Sequence, residues 1–201
     1  MRHARALAAT LAAGALAAGL AGCAQDSGAG DVVGQGFVSG DGSVTQWDPA
    51  DRDDPVTIEG TQFDGTDVST AEWTGDVVVV NTWYAECAPC RAEAPGLVAL
   101  AAERASDGVR VLGVNTQDDA GAAQAFERTF GVTYPSIEDA SGSVIARLAG
   151  VVPLQAVPTT VVLDREHRVA ARVVGKADPS TLDALVDDVL AEAGTTGGSG
   201  A

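Results

Sequence analysis

Hydrophobic positions change their spacing several times along the chain, and this predicts strands alternating with helices. A continuous β-branched run over residues 77–83 is typical of a central strand buried on both faces. A helix is predicted over 88–106, kinked or irregular at Pro95, and an amphipathic helix over 120–130. The other predicted elements are an N-terminal hairpin from 56–58 through a turn at 63–65, strands over 109–114, 134–137, 159–163 and 169–174, and helices over 141–148 and 179–193. This order predicts an α/β fold with a mixed central β-sheet flanked by helices.

The two ends of the chain lack this periodicity. Residues 24–54 are rich in Gly, Ser, Asp and Gln, and residues 194–201 are mostly Gly, Ser and Thr. We therefore predict one globular domain over 55–193, a flexible linker over 23–54 and a disordered tail over 194–201. Within the linker, 37–38 and 44–47 could instead form a short strand or dock on the domain.

The first 22 residues have the composition of an export signal. A basic start is followed by an apolar run over 6–20, too short for a comfortable membrane span, and then by small residues. The sequence L-A-G-C over 20–23 resembles the lipobox of bacterial lipoproteins. That resemblance implies that Cys23 is lipidated and anchors the protein to the bacterial cell membrane, outside the cytoplasm. The alternative is an ordinary secreted protein.

Acidic side chains outnumber basic ones. The chain has 28 Asp and Glu against 12 Lys and Arg, a formal net charge of −16. Such a surface repels nucleic acid and anionic headgroups, and no basic stripe opposes this. The charge therefore excludes nucleic acid as a partner but leaves the reaction open.

Two of the three cysteines, Cys87 and Cys90, are separated by two residues in an exported setting where disulfides persist. Zinc needs four ligands, normally four cysteines or two cysteines and two histidines. Once the signal peptide is removed, His167 is the one remaining histidine, and it is predicted in an exposed hairpin turn. A copper site of both cysteines and His167 stays open, as does a structural disulfide, although so short a loop constrains the unfolded chain little. We expect a redox pair and no metal.

The position of the pair favours reactivity. Cys87 lies where the predicted buried strand ends and a helix begins, so unpaired N–H groups and the helix dipole favour its thiolate. The thiolate is the nucleophile, which makes Cys87 the attacking sulfur, held where a partner reaches it. Cys90, one turn into the helix, is shielded and can close a disulfide.

Residues 77–95, VVVVNTWYAECAPCRAEAP, resemble the active-site segment of the TlpA/ResA-like thiol-disulfide oxidoreductases of the thioredoxin superfamily. The resemblance extends to the YPSIEDASGSVIARLAGV region and to VPTTVVL at 157–163, and covers about residues 55–193. It implies a thioredoxin-like fold with an N-terminal β-hairpin extension.

The resemblance also implies a role for each matching residue. Cys87 would be the nucleophile and Cys90 the resolving cysteine. Pro158 would be cis and would place the backbone of Val157 beside the disulfide, where it can pair with an extended substrate strand. Glu93, one helical turn after Cys90, would exchange a proton with that thiol if burial raises its pKa.

Asn81 and Glu86 depart from the family pattern, and Trp83 has two possible roles. Asn81 stands where thioredoxin has a buried acid, and an amide cannot relay a proton. Glu86 stands where these proteins usually carry tryptophan, so a carboxylate at the substrate site disfavours the Cys87 thiolate and removes an apolar contact. Trp83 is expected either as an aromatic floor for the substrate or as core packing.

The family implies an enzyme that exchanges disulfides with exported proteins, using no cofactor beyond the Cys87–Cys90 pair. Its implied partners are exported protein thiols and disulfides, including apocytochrome c, and a membrane thiol donor such as a CcdA/DsbD-like protein. By analogy with the family we expect a reductant in cytochrome c maturation. The alternatives are an oxidant of the same fold, a non-catalytic binding lipoprotein and a copper chaperone.

Overall fold

The computed structural model describes residues 37–38, 43–153 and 156–192, with backbone alone at 37–38. The predicted signal peptide, Cys23 and the predicted tail lie outside the described residues. None of the helices in the described part of the chain has the length and apolar character that crossing a membrane requires.

A seven-stranded mixed sheet forms the centre of the domain. Its strands are β1 (Phe37–Val38), β2 (Val44–Gln46), β5 (Val77–Trp83), β6 (Val109–Asn115), β7 (Ser136–Glu138), β8 (Thr159–Leu163) and β9 (Val169–Val174), and a separate hairpin consists of β3 (Glu59–Thr61) and β4 (Asp67–Ser69). The order in the sheet is β1-β2-β9-β8-β5-β6-β7. β5 pairs in parallel with β6 and antiparallel with β8, so the sheet is mixed as predicted.

In the described part of the chain, three α-helices pack around the strands. They are α1 (Ala88–Glu103), α2 (Ala120–Phe130) and α3 (Pro179–Glu192), and short 3-10 helices lie at Thr70–Trp73, Ala105–Asp107 and Ile145–Leu148. α1 continues through Pro95, and the helix predicted over 141–148 is only a 3-10 turn at its end. The predicted bounds of α2, β8 and β9 agree with the structure.

β5 is buried along its whole length because different layers cover its two faces. Val77 and Val79 pack in one cluster with side chains of α1 and α3. Val78 and Val80 pack in a second cluster with side chains of the 3-10 helix at Ile145–Leu148. The period of two along a strand explains this division. β5 ends at Trp83, four residues before Cys87.

The flexible linker predicted over 23–54 is wrong for residues 43–54, which dock on the domain, as the sequence leaves open for 44–47. β2 pairs antiparallel with β9. The Arg52 guanidinium donates to Asp164 at 2.9 Å and to both carboxylate oxygens of Glu192 at 2.6 and 2.7 Å. A three-residue strand is too short to show periodicity, and its partner is distant in the sequence. The domain therefore begins before residue 55.

Candidate active site

The two cysteines form a disulfide where β5 gives way to α1, with an S–S distance of 2.05 Å. Cys87 is the N-cap of α1, and its Sγ accepts a hydrogen bond from the backbone N–H of Cys90 at 3.2 Å. Pro89 lies in the first turn, where a missing N–H costs the helix nothing. Negative charge on the Cys87 sulfur is stabilised at this end of the helix.

Both cysteines are buried in the disulfide state. Each is 2% exposed and packs in an apolar cluster with Trp83 and Phe126. The shielding predicted for Cys90 is present, whereas the access expected at Cys87 is not open in this state. A partner must displace neighbouring side chains to reach the sulfur, and the apolar surroundings oppose the thiolate that the helix terminus favours.

The segment before β8 lies against the disulfide. The peptide bond between Val157 and Pro158 is cis, in agreement with the prediction. The Cys87 Sγ is 3.9 Å from the Val157 carbonyl oxygen, a contact rather than a hydrogen bond because a disulfide sulfur carries no proton. The Pro158 carbonyl accepts from the N–H of Gly175 at 2.9 Å, which holds the segment in place.

Glu93 is buried in a polar network, at 3% exposure. Its Oε1 accepts from Nδ2 of Asn81 at 2.7 Å and its Oε2 from the N–H of Ala177 at 2.8 Å, while Asn81 also donates to Thr160. Burial raises the pKa of Glu93 to about 7, against the lowering effects of these hydrogen bonds and of Lys176. The carboxyl group can therefore hold or release a proton near neutral pH.

Trp83 lies inside the core, in agreement with the core packing that was one of its two expected roles. It is 4% exposed, its indole Nε1 donates to Oγ of Ser136 at 2.8 Å, and its ring centroid is 4.4 Å from that of Phe126. A Cβ at Gly113 would lie 2.9 Å from the indole nitrogen, so glycine leaves the room for this bond. Trp83 supports the cysteine pair from within the core.

Asp118 and Arg91 hold the turn before the cysteine pair, and sequence reasoning identified neither. The Asp118 Oδ2 accepts from the N–H of Ala85 at 2.6 Å and from Nδ2 of Asn115 at 2.7 Å. Nη1 of Arg91 donates to the Ala85 carbonyl oxygen at 3.2 Å. Glu86 is exposed at the tip of this turn. The only available signal was the Asn-x-x-Asp spacing after β6, which many ordinary turns share.

His167 is buried, in contrast to the exposed turn predicted for it, at 7% exposure. One ring nitrogen, Nε2, lies 3.2 Å from the Trp73 carbonyl oxygen. The described residues contain no cluster of three or more His, Cys, Asp or Glu side chains arranged to hold a metal ion. The ligand set imagined for copper is therefore not brought together in this part of the chain.

Comparison with known proteins identifies the family. Residues 50–189 match the family model described as Redoxin. The chain belongs to the Redoxin family. This Redoxin match spans the described part of the thioredoxin-like domain almost completely and includes both cysteines, Glu93 and Pro158.

Relatives of this Redoxin domain agree on its chemistry. The thiol:disulfide interchange protein HelX of Rhodobacter capsulatus is 32% identical over 143 residues, covering 71% of this chain and 74% of HelX. The thiol-disulfide oxidoreductase ResA of Geobacillus thermodenitrificans is 29% identical over 113 residues, covering 56% of this chain and 63% of ResA. The crystal structure of a secreted thiol-disulfide isomerase from Corynebacterium glutamicum is 34% identical with a TM-score of 0.70, covering 78% of this chain and 99% of that one.

The predicted membership of the TlpA/ResA-like branch of the thioredoxin superfamily is thereby confirmed. The chain is a protein thiol-disulfide oxidoreductase with a C-x-x-C pair at Cys87 and Cys90, and its substrates are protein thiols and disulfides.

Proposed function

We propose that this Redoxin protein is an exported, membrane-tethered reductant that transfers electrons from Cys87 and Cys90 to disulfides of other exported proteins. One observation carries the proposal. The Cys87 sulfur accepts a hydrogen bond from the N–H of Cys90 at a helix N-terminus and lies 3.9 Å from the Val157 carbonyl oxygen. A nucleophilic sulfur and a peptide backbone are thus adjacent.

The proposed reaction has two steps. The Cys87 thiolate attacks one sulfur of the partner disulfide, which forms a mixed disulfide and releases the other partner sulfur as a thiolate that takes up a proton. Cys90 then loses its proton to Glu93 or to water and attacks Cys87. The Cys87–Cys90 disulfide forms, the partner leaves as a dithiol, and two electrons have moved to it. The pair itself carries the electrons, so no further cofactor takes part.

We assign substrate contacts to Val157, Pro158 and Glu86. The backbone of Val157, set by the cis Pro158 bond beside the disulfide, would pair with an extended segment of the partner. Glu86 is exposed one residue before Cys87 and would meet the side chains that flank the partner cysteine. Trp83 contributes by packing beneath the site rather than by contact.

The reducing direction is supported by two features that offset part, but not all, of the stabilisation that the helix N-terminus gives the Cys87 thiolate. The Glu86 carboxylate is adjacent in the sequence, and the sulfur lies in an apolar cluster. A less stable thiolate makes a pair more reducing, so we expect a potential nearer to that of thioredoxin, about −270 mV, than to that of DsbA, about −120 mV. By family analogy the partner is apocytochrome c, and a membrane thiol donor of the CcdA/DsbD type restores the dithiol.

The proposed location is outside the cytoplasm, with the lipidated Cys23 as the anchor. The export signal and the lipobox-like L-A-G-C support it. The related isomerase of Corynebacterium glutamicum is described as secreted. Metabolic labelling with a fatty acid tests the anchor, because a Cys23→Ser chain then stays unlabelled.

The test of the exchange mechanism is to trap the partner. A Cys90→Ser chain in its native host should accumulate mixed disulfides at Cys87, because no resolving thiol remains to release them. A Cys87→Ser chain is the matched control and should trap little. Identification of apocytochrome c among the trapped proteins would support the specific role. Absence of any mixed disulfide at Cys87 would contradict the proposed function.

A further inference from the structure

The turn that carries Glu86 is held from both sides. The N–H of Cys87 donates to the Tyr84 carbonyl at 3.1 Å, which places Ala85 and Glu86 at the tip. The Ala85 N–H is bound by Asp118 and the Ala85 carbonyl by Arg91. The backbone position of Glu86 is therefore set by groups other than its own side chain.

The Glu86 carboxylate faces solvent without a cation. Among the described residues, no Lys, Arg or His nitrogen forms an ion pair with it. Arg91, the cation on the adjacent turn of α1, is engaged with the Ala85 carbonyl and lies 5.1 Å from the ring centroid of Phe130. A fixed backbone thus presents an unpaired negative charge immediately before Cys87.

Any partner must bring its own side chains to this carboxylate. In the mixed disulfide the partner cysteine is bonded to the Cys87 sulfur, so residues flanking that cysteine lie close to the turn that carries Glu86. A cation at that place raises the affinity of the partner and an anion lowers it, each by a factor of about two to five for an exposed pair of charges. The two effects act in opposite directions and therefore multiply when one charge replaces the other.

We propose that Glu86 is a specificity-determining residue that favours protein partners with a lysine or arginine next to the reacting cysteine and disfavours those with an acidic residue there. This rests on the proposed function, in which Cys87 forms the mixed disulfide. A carboxylate that only destabilised the Cys87 thiolate would slow exchange with every partner equally. The ratio of the reduction rates of two partners therefore separates a role in specificity from a general effect on the Cys87 thiolate.

The experiment uses the reduced full chain and two cyclic disulfide peptides that differ only by lysine or glutamate beside one cysteine. We expect the lysine peptide to be reduced about tenfold faster at about 0.01 M salt, and the ratio to fall towards one at about 1 M salt. E86Q should bring the ratio close to one, and E86K should invert it. E103Q, which removes the same charge from an exposed residue at the other end of α1, should keep the wild-type ratio.

The outcomes are distinguishable. Rapid reduction of both peptides at equal rates would overturn the role of Glu86 and leave the proposed function standing. A wild-type ratio that survives E86Q would overturn it too, and would assign the preference to the acidic surface as a whole. Failure to reduce either peptide would contradict the proposed function itself.

Discussion

At the scale of single residues, Glu93 shows how surroundings decide chemistry. Burial raises its pKa from 4.5 to about 7. Between these values the folded protein keeps a proton that the unfolded chain has released, so the free energy of unfolding falls as pH rises through this window. The fall from this group is about 3 kcal/mol in total.

A Glu93→Gln variant tests this pH dependence of the free energy of unfolding. Glu93→Gln cannot ionise, so its free energy of unfolding should decrease less than that of wild type between about pH 4.5 and 7. Denaturant unfolding of the oxidised proteins across that range measures the difference. Glu103→Gln on the same helix is the control and should follow wild type. Parallel pH profiles for Glu93→Gln and wild type would show that Glu93 ionises normally.

The reactive residues could be found from sequence because local patterns reveal them. Cys87, Cys90 and Glu93 fall in one short segment, and Pro158 precedes a buried β-branched strand. Asp118 could not be found in this way. It acts on a backbone N–H that lies 33 residues away, and any polar side chain could fill that role.

At the scale of elements, the turn before α1 depends on Asp118 for its position. The Asp118 carboxylate is the acceptor for both Ala85 N–H and the Asn115 amide. Removing it leaves two donors without this partner, which costs about 1–3 kcal/mol when they are buried. The sulfur at the helix N-cap follows the turn, so we expect Asp118 to position Cys87.

Two variants of Asp118 separate the effect of its hydrogen-bond acceptor from the effect of its charge. Asp118→Asn keeps an oxygen acceptor and loses the charge, whereas Asp118→Ala loses both. The pH profile of Cys87 alkylation should shift to higher pH in Asp118→Ala relative to Asp118→Asn, because a loosened turn weakens the N–H contact to the thiolate. Identical pH profiles for the two variants would contradict a positioning role, because the loss of charge alone would then account for any difference from wild type.

The predictability of elements follows burial. β5, β8 and α2 could be predicted to within a residue because long apolar runs or a clear amphipathic face mark them. β2 is three residues with one buried side chain, and its strand state depends on the edge that β9 provides. The local pattern at 44–47 allowed either a short strand or a linker, and tertiary pairing with β9 decided between them.

At the scale of the whole molecule, Arg52 joins the N-terminal segment to the rest of the domain. Its side chain and that of Asp164 are 2% and 3% exposed, and Glu192 at the end of α3 is the second acceptor. Loss of Arg52 would leave the buried Asp164 carboxylate with one cationic partner fewer, in an interior that solvates its charge poorly. The docked segment is therefore part of the folding unit.

A further prediction compares two arginines. Arg52→Met should lower the free energy of unfolding by about 3 kcal/mol, reduced to the extent that Arg168 still neutralises Asp164. Arg147→Met removes an exposed ion pair with Glu59 and should cost less than about 1 kcal/mol. Denaturant unfolding at constant pH gives both values. An effect of Arg52→Met as small as that of Arg147→Met would show that the ion pairs of Arg52 contribute little to the stability of the fold.

The most direct test of the central claim is the reactivity of Cys87 itself. The reduced, folded protein is treated with iodoacetamide at neutral pH, and each cysteine is followed by mass spectrometry beside glutathione. We predict that Cys87 is alkylated at least about tenfold faster than glutathione, with Cys90 slower than Cys87, because the helix terminus and the Cys90 N–H stabilise its thiolate. Alkylation of Cys87 no faster than that of glutathione would contradict the claim that it is the attacking sulfur.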